Sequence, residues 1–404
     1  MTTRFRRGVW ALTIGALLLA GAASLPYLDA AAFIARAADL PGAPATLAAW
    51  RASDPGRISS LEIPTRHGNV PARISRPAGT FQRTIVLVPG VHRDGIDEAR
   101  LVGLAQDLVA TGFAVVTVAA PDLQRFRITP AVTDVIEDAI YWASEQPELA
   151  PDRRVGVLGV SFSGGLSIVA GGRDRTRDRL AFILSFGGHG DLARVMHYLA
   201  SGEVVGDLDA ARRSRFVLGA EHVQVHPPHD YGVAVVLLTV AGEVVPPEQV
   251  QPLIHGIEGF LLASSLDMVD KPRALEEFAR MRTYAEALPE PAATLMRFVN
   301  DRAVKELGAR LLPIVDAMAN HPAMPALSPE RAPAAPAAPV FLLHGADDNV
   351  IPSVETVLLG EYLQSRARVL GLLSGLITHA EVNRAPTLTE AWRLSSFWKQ
   401  VFDN

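Results

Sequence analysis

Apolar and polar positions alternate along most of this chain in a way that predicts strands and helices taking turns. Ser60 to Thr65 and Val70 to Ser75 alternate around His67-Gly68-Asn69, which predicts a hairpin. Thr84 to Val88 is an unbroken apolar run of strand length, and Leu101, Leu104, Leu108 and Val109 then recur at helical spacing within Asp97 to Thr111. Phe113 to Ala119 predicts a strand, Pro130 to Gln146 a helix, Arg154 to Val160 a strand, and the residues to about Gly171 a helix. Ala181 to Phe186 is one more buried strand. Strand and helix in turn predict an α/β fold with a mostly parallel sheet flanked by helices.

From 187 to 327 the strand pattern stops. Tyr231 to Val244, Pro247 to Asp267, Pro272 to Leu288, Ala292 to Asn300 and Asp301 to Met318 are predicted helices separated by proline and polar breaks. This interval reads as a helical cap inserted in the sheet domain. Prolines and alanines at 328–338 predict a stiff return linker, and alternation resumes in 339–404. There Val340 to His344 and Arg368 to Leu373 are strands, with helices over Ser353 to Arg366 and Thr387 to Phe402. The first part of the sheet domain is then 59–186.

The N-terminus has a different pattern. Arg4, Arg6 and Arg7 precede an uncharged apolar run from Gly8 to Leu25, the layout of an export signal or of a single spanning helix. Ala20-Gly21-Ala22 suits cleavage, whereas the length of the run suits an anchor whose N-terminal end stays in the cytoplasm. Both readings of 1–25 export the rest, either membrane-anchored or secreted. Residues 26–58 read as an N-terminal helical segment, with an Ala-rich helix from Asp29 to Leu40 that Pro41-Gly42 stops.

Composition narrows the function. A chain of 404 residues, 49% hydrophobic and 20% charged, can bury a large core. The net charge of −5 and the lack of a basic stripe argue against a nucleic-acid partner. With no cysteine there is no thiol nucleophile, thiolate metal site or disulfide.

The chemistry gathers at the strand Arg154 to Val160. Gly159-Val160-Ser161-Phe162-Ser163-Gly164-Gly165 predicts a sharp strand-to-helix turn that lifts a serine hydroxyl to a pocket floor. The spacing is Gly-x-Ser-x-Gly with Ser163 in place of the second glycine. The alternative frame, Ser161-x-Ser163-x-Gly165, makes Ser163 the nucleophile. A phosphate-cradling turn is disfavoured, because neither Gly-Lys-Ser/Thr nor Gly-x-Gly-x-x-Gly is present.

A serine nucleophile needs a base and a carboxylate to orient it. His344-Gly345-Ala346-Asp347-Asp348-Asn349-Val350-Ile351-Pro352 leaves a buried strand, and His379 follows the last one, in Ser374-Gly375-Leu376-Ile377-Thr378-His379. Ser, Asp, His in that order, each after its own strand, resembles the α/β-hydrolase superfamily. The hairpin, Pro89-Gly90 and Phe162-Ser163-Gly164-Gly165 are most similar to dienelactone-hydrolase-like and prolyl-peptidase-like members. The resemblance implies Ser161 as nucleophile, Asp348 as acid, His379 as base, and the amides of Val91 and Phe162 as the oxyanion hole.

His92, beside that loop, is a candidate for substrate contact. Asp191, after the strand ending at Phe186, is the rival acid. His222, His226, His229 and Asp230 suggest metal ligands at first sight, but Pro227 and Pro228 break any helical ligand face, and no metal is expected. The resulting expectation is a cofactor-independent serine hydrolase acting on a small-molecule ester, against a peptidase, an acyltransferase or a non-catalytic binding module. Oligomeric state has no signal.

Overall fold

Five short runs of β-branched and leucine residues, too apolar to face water on either side, build the centre of a nine-stranded sheet. The computed structural model describes residues 25–267, 270–377 and 387–404. The export segment, apart from Leu25, and His379 therefore lie outside the described residues.

Helices α1 (25–37) and α2 (Ala43–Trp50) precede the hairpin β1 (Pro55–Thr65) and β2 (Gly68–Pro77). Then come β3 (Thr84–Val88), α3 (Ala99–Ala110), β4 (Ala114–Val118), the one-turn α4 (Pro121–Gln124), α5 (Pro130–Ser144), β5 (Val155–Val160), α6 (Phe162–Gly172) and β6 (Leu180–Phe186). The inserted region holds α7 (Leu192–Ser201), α8 (Leu208–Arg212), β7 (Val217–Leu218), α9 (Asp230–Val244), α10 (Pro247–Leu266), α11 (Lys271–Glu286), α12 (Ala292–Asn300), α13 (Val304–Met318) and α14 (Met324–Leu327). The chain closes with β8 (Val340–Gly345), α15 (Val354–Leu363), β9 (Val369–Ser374) and α16 (Leu388–Phe402).

Strand order is β1-β2-β4-β3-β5-β6-β8-β9-β7. The β1/β2 and β2/β4 pairs are antiparallel and all others are parallel. The hairpin is longer than its alternation predicts. Residues 55–60 of β1 are exposed at the sheet's edge, so no buried face marks them in the sequence. β7 was not predicted; two residues carry no periodicity.

Alternation within each strand divides the core in two. Ile85, Leu87, Leu158, Phe182, Leu184 and Leu343 meet α1, α3 and α16 on one face. Val86, Val88, Val157, Ile183 and Leu342 point to the other, where α5 and α6 pack and the core runs on into the inserted helices. Within that insertion Phe260 is buried against Phe278, with ring centroids 5.5 Å apart, so it belongs to the cap's own core. The 328–338 segment begins with a 3₁₀ turn at Pro329–Arg331, and Ser328 Oγ accepts from Leu192 N at 2.9 Å. No described helix is long and apolar enough to cross a membrane.

Candidate active site

The backbone reverses between β5 and α6 at Ser161, whose φ of 58° and ψ of −133° are costly for any residue with a side chain. Such strain, of order 1–3 kcal/mol, persists only where neighbours fix it. They do here. Ser161 N donates to Phe186 O at 2.7 Å, and Gly164 N donates to Ser161 O at 2.8 Å. A Cβ on Gly159 would lie 2.3 Å from the Ser163 carbonyl oxygen, so only glycine lets the helix start so close to the strand.

Ser161 is half-buried and stands at the turn itself. Ser163 has no exposed surface, and its hydroxyl faces two backbone carbonyls, Val160 O at 2.8 Å and Val88 O at 3.1 Å. Its hydroxyl thereby ties the elbow to the end of β3. Residues 89–92, which continue from β3, pass directly against the serine. A Cβ on Gly90 would lie 3.2 Å from both Ser161 Cβ and Val160 O. Val91 packs partly into the core, and Phe162 opens α6, where first-turn amides have no helical acceptor. His92 is half-buried and turned into its own loop, its Nδ1 accepting from Asp94 N at 3.2 Å.

Asp348 is buried in the turn after β8. Its Oδ1 accepts from Val350 N at 2.8 Å and Ile351 N at 3.0 Å, and Oδ2 lies 3.4 Å from His344 Nε2. His344 is fully buried behind it, between Thr356 Oγ1 at 2.7 Å and Ile351 O at 3.0 Å. Oδ2 also faces Gly187 at the end of β6, where an added Cβ would approach to 3.7 Å. Asp191 is engaged elsewhere: it caps α7 through Ala193 N at 2.9 Å and accepts from Arg331 Nε at 2.6 Å. Among the described residues no group of three or more His, Asp or Glu side chains is placed to hold a metal.

Sheet order, the elbow after β5 and the aspartate turn after β8 together decide the architecture. The chain has an α/β-hydrolase fold.

No protein-family profile matches the sequence, and no curated protein matches it. Solved structures are similar at low identity. An esterase from Pyrobaculum calidifontis aligns at 16% identity over 93% of this chain and 90% of its own, with a TM-score of 0.44. A thermostable esterase from Pseudomonas putida aligns at 12% over 86% and 82%, with a TM-score of 0.43. The acylaminoacyl peptidase of Pyrococcus horikoshii aligns at 12% over 89% of this chain and 42% of its own, with a TM-score of 0.41.

Three residues near this edge of the hydrolase fold are missed by sequence reasoning. Tyr198 O–H donates to His226 O at 2.9 Å. Burial, with the Asp348 charge adding to it, pushes this phenol's pKa up. Burial first, then the Asp348 charge, raise Tyr231 too, with Asp230 adding and Arg100 opposing. The loop before α9 is fastened to the aspartate turn by His229 N donating to Asn349 O at 2.8 Å. The inserted region therefore touches the Asp348 turn through this loop. The third residue is His189, fully buried between the elbow helix and α14, its Nε2 2.8 Å from Leu327 O. Isolated tyrosines and histidines in a helical interval give no spacing signal.

Proposed function

We propose that this protein is an exported serine hydrolase that cleaves carboxylic esters of small or medium-sized molecules. Ser161 Oγ attacks the ester carbonyl carbon while His379 takes its proton, and the resulting oxyanion accepts hydrogen bonds from Phe162 N and Val91 N. Collapse breaks the acyl–oxygen bond, and His379 returns the proton to the departing alkoxide. Water, deprotonated by His379, then attacks the acyl-enzyme; collapse breaks the bond to Ser161 Oγ, which takes the proton back from His379 as the acid leaves. Asp348 holds the imidazole in the tautomer that presents a basic nitrogen to Ser161. No cofactor enters this cycle.

The observation that carries the reading is the strained elbow at Ser161, with the Gly90 loop pressed against it. Nothing in packing requires a serine with a side chain at that φ; glycine would relieve the strain. A fluorophosphonate probe should label the wild-type protein, and Ser161→Ala should abolish the label. Labelling that survives in Ser161→Ala would overturn the assignment. Esters are favoured over peptides because the inserted region, whose loop before α9 contacts the aspartate turn, is read as a cap that limits substrate size. A panel of aryl esters and peptide amides separates the two by kcat/KM.

A further inference from the structure

The apolar run Gly8 to Leu25 joins the domain at the start of α1, and the packing of α1 fixes which side of the molecule that is. Tyr27 stacks on Trp392 with ring centroids 5.0 Å apart, and Phe33 meets Trp398 at 4.4 Å and Phe402 at 5.4 Å. The contacts advance together along both helices, so α1 runs parallel to α16. The far end of α16 lies at the amino edge of the sheet. Phe402 touches Phe113 just before β4, and Asn404 O accepts from Arg83, just before β3, at 2.8 Å. The near ends of α1 and α16 therefore lie at the carboxyl edge, where Ser161 opens and Asp348 sits. In the strand order, β9, which leads into α16, is three steps from β5, about 14 Å at ordinary strand spacing.

That corner exposes apolar and aromatic side chains to solvent. Leu25 is 43% exposed and Trp392 60%, although Trp392 is stacked on Tyr27. Arg393 pairs with Glu221 at 2.9 Å, which brings the end of β7, with its exposed Leu218, beside the start of α16. Tryptophan and tyrosine at the end of an apolar segment long enough to span are residues of the membrane–water interface.

We propose that residues 8–25 are retained in the membrane, that the carboxyl edge docks on the bilayer surface through Leu25, Tyr27 and Trp392, and that the site takes amphiphilic esters partitioned there. The substrate class rests on the ester reading above; the docking does not. Arg4, Arg6 and Arg7 hold the other end of the segment in the cytoplasm, so the docked surface is the outer one.

The test uses the full chain in phosphatidylcholine–phosphatidylglycerol vesicles. Brominated phosphatidylcholine should quench the share of fluorescence that Trp392→Phe removes, and iodide should not reach it. The share removed by Trp50→Phe, from a side chain 68% exposed at the end of α2, should remain open to iodide. Trp392→Glu should slow hydrolysis of vesicle-partitioned 4-methylumbelliferyl decanoate roughly tenfold and leave the water-soluble acetate ester unaffected. Iodide quenching of Trp392 equal to that of Trp50, equal losses on both esters, or a mature chain that begins after Leu25 would overturn the proposal. Wild-type protein that hydrolyses neither ester while Trp392 shows the lipid-quenched pattern would sink the ester reading and leave the docking supported.

Discussion

Arg331 grips Asp191: its Nε donates to Oδ2 at 2.6 Å while Oδ1 caps the first turn of α7. A carboxylate so occupied serves stability, whereas Asp348 sits in the turn after β8 with Oδ1 held by two amides and Oδ2 beside His344. Asp191→Ala should therefore lower unfolding free energy by about 1–3 kcal/mol with turnover per folded molecule unchanged. Asp348→Asn should lower kcat by roughly four orders of magnitude, as expected when the imidazole is held in the wrong tautomer. Urea melts and ester kinetics on both variants check the pair, and the reverse ranking would move the acid to Asp191.

Ser163 is two residues from the proposed nucleophile and plays a different part. Its hydroxyl faces Val88 O and Val160 O in a site closed to solvent. Ser163→Ala should cost about 1–3 kcal/mol, because buried carbonyls lose a donor, yet keep the fluorophosphonate label. Loss of labelling in a folded Ser163→Ala protein would show that the nucleophile had been placed in the wrong frame.

Gly90 tests the proposed oxyanion loop. An added methyl at 3.2 Å from Ser161 Cβ and Val160 O must push the loop or the elbow by a few tenths of an ångström. A shift of the loop would carry Val91 N away from the oxyanion. Gly90→Ala is expected to lower kcat about 10- to 1000-fold, the range for a lost oxyanion donor, with little change in KM or melting temperature. An unchanged kcat would place the second donor elsewhere.

These residues differ in how openly the sequence displays them. The central strands are legible because burial on both faces leaves unbroken apolar runs, and their parallel order follows from helices between them. Ser161 and Asp348 are legible because a turn needs small or acidic residues at fixed offsets. Glu355 is not. It accepts from Gly190 N, Asp191 N and Arg194, and Arg194 also pairs with Glu330, so this cluster joins the start of α7, the return segment and α15. Partners so far apart in sequence leave no local pattern, because pairing across elements is decided only by the packed fold. The extra edge strand β7 is hidden for another reason. It is defined by Val217 packing on Gly371 of β9, not by its own sequence.

His189 gives the fold a pH dependence. Burial pulls its pKa down to about 4, and Arg194 acts in the same direction; the bond to Leu327 O and the charges of Asp191 and Glu330 oppose them. Among the described residues Nδ1 has no hydrogen-bond partner, consistent with a neutral ring that donates from Nε2. In the unfolded chain the ring titrates near its ordinary value of about 6.5. As pH falls the unfolded state therefore takes up this proton first. The stability linked to His189 is complete above about pH 6.5 and is lost between there and about pH 4, for a total of roughly 3 kcal/mol. His189→Gln keeps a donor for Leu327 O and removes the titration. Urea unfolding of both proteins from pH 8 to pH 4 should show the wild type losing stability more steeply in that window, while above pH 7 the two curves run parallel. Parallel curves across the whole range would mean that His189 titrates alike in the folded and unfolded chains.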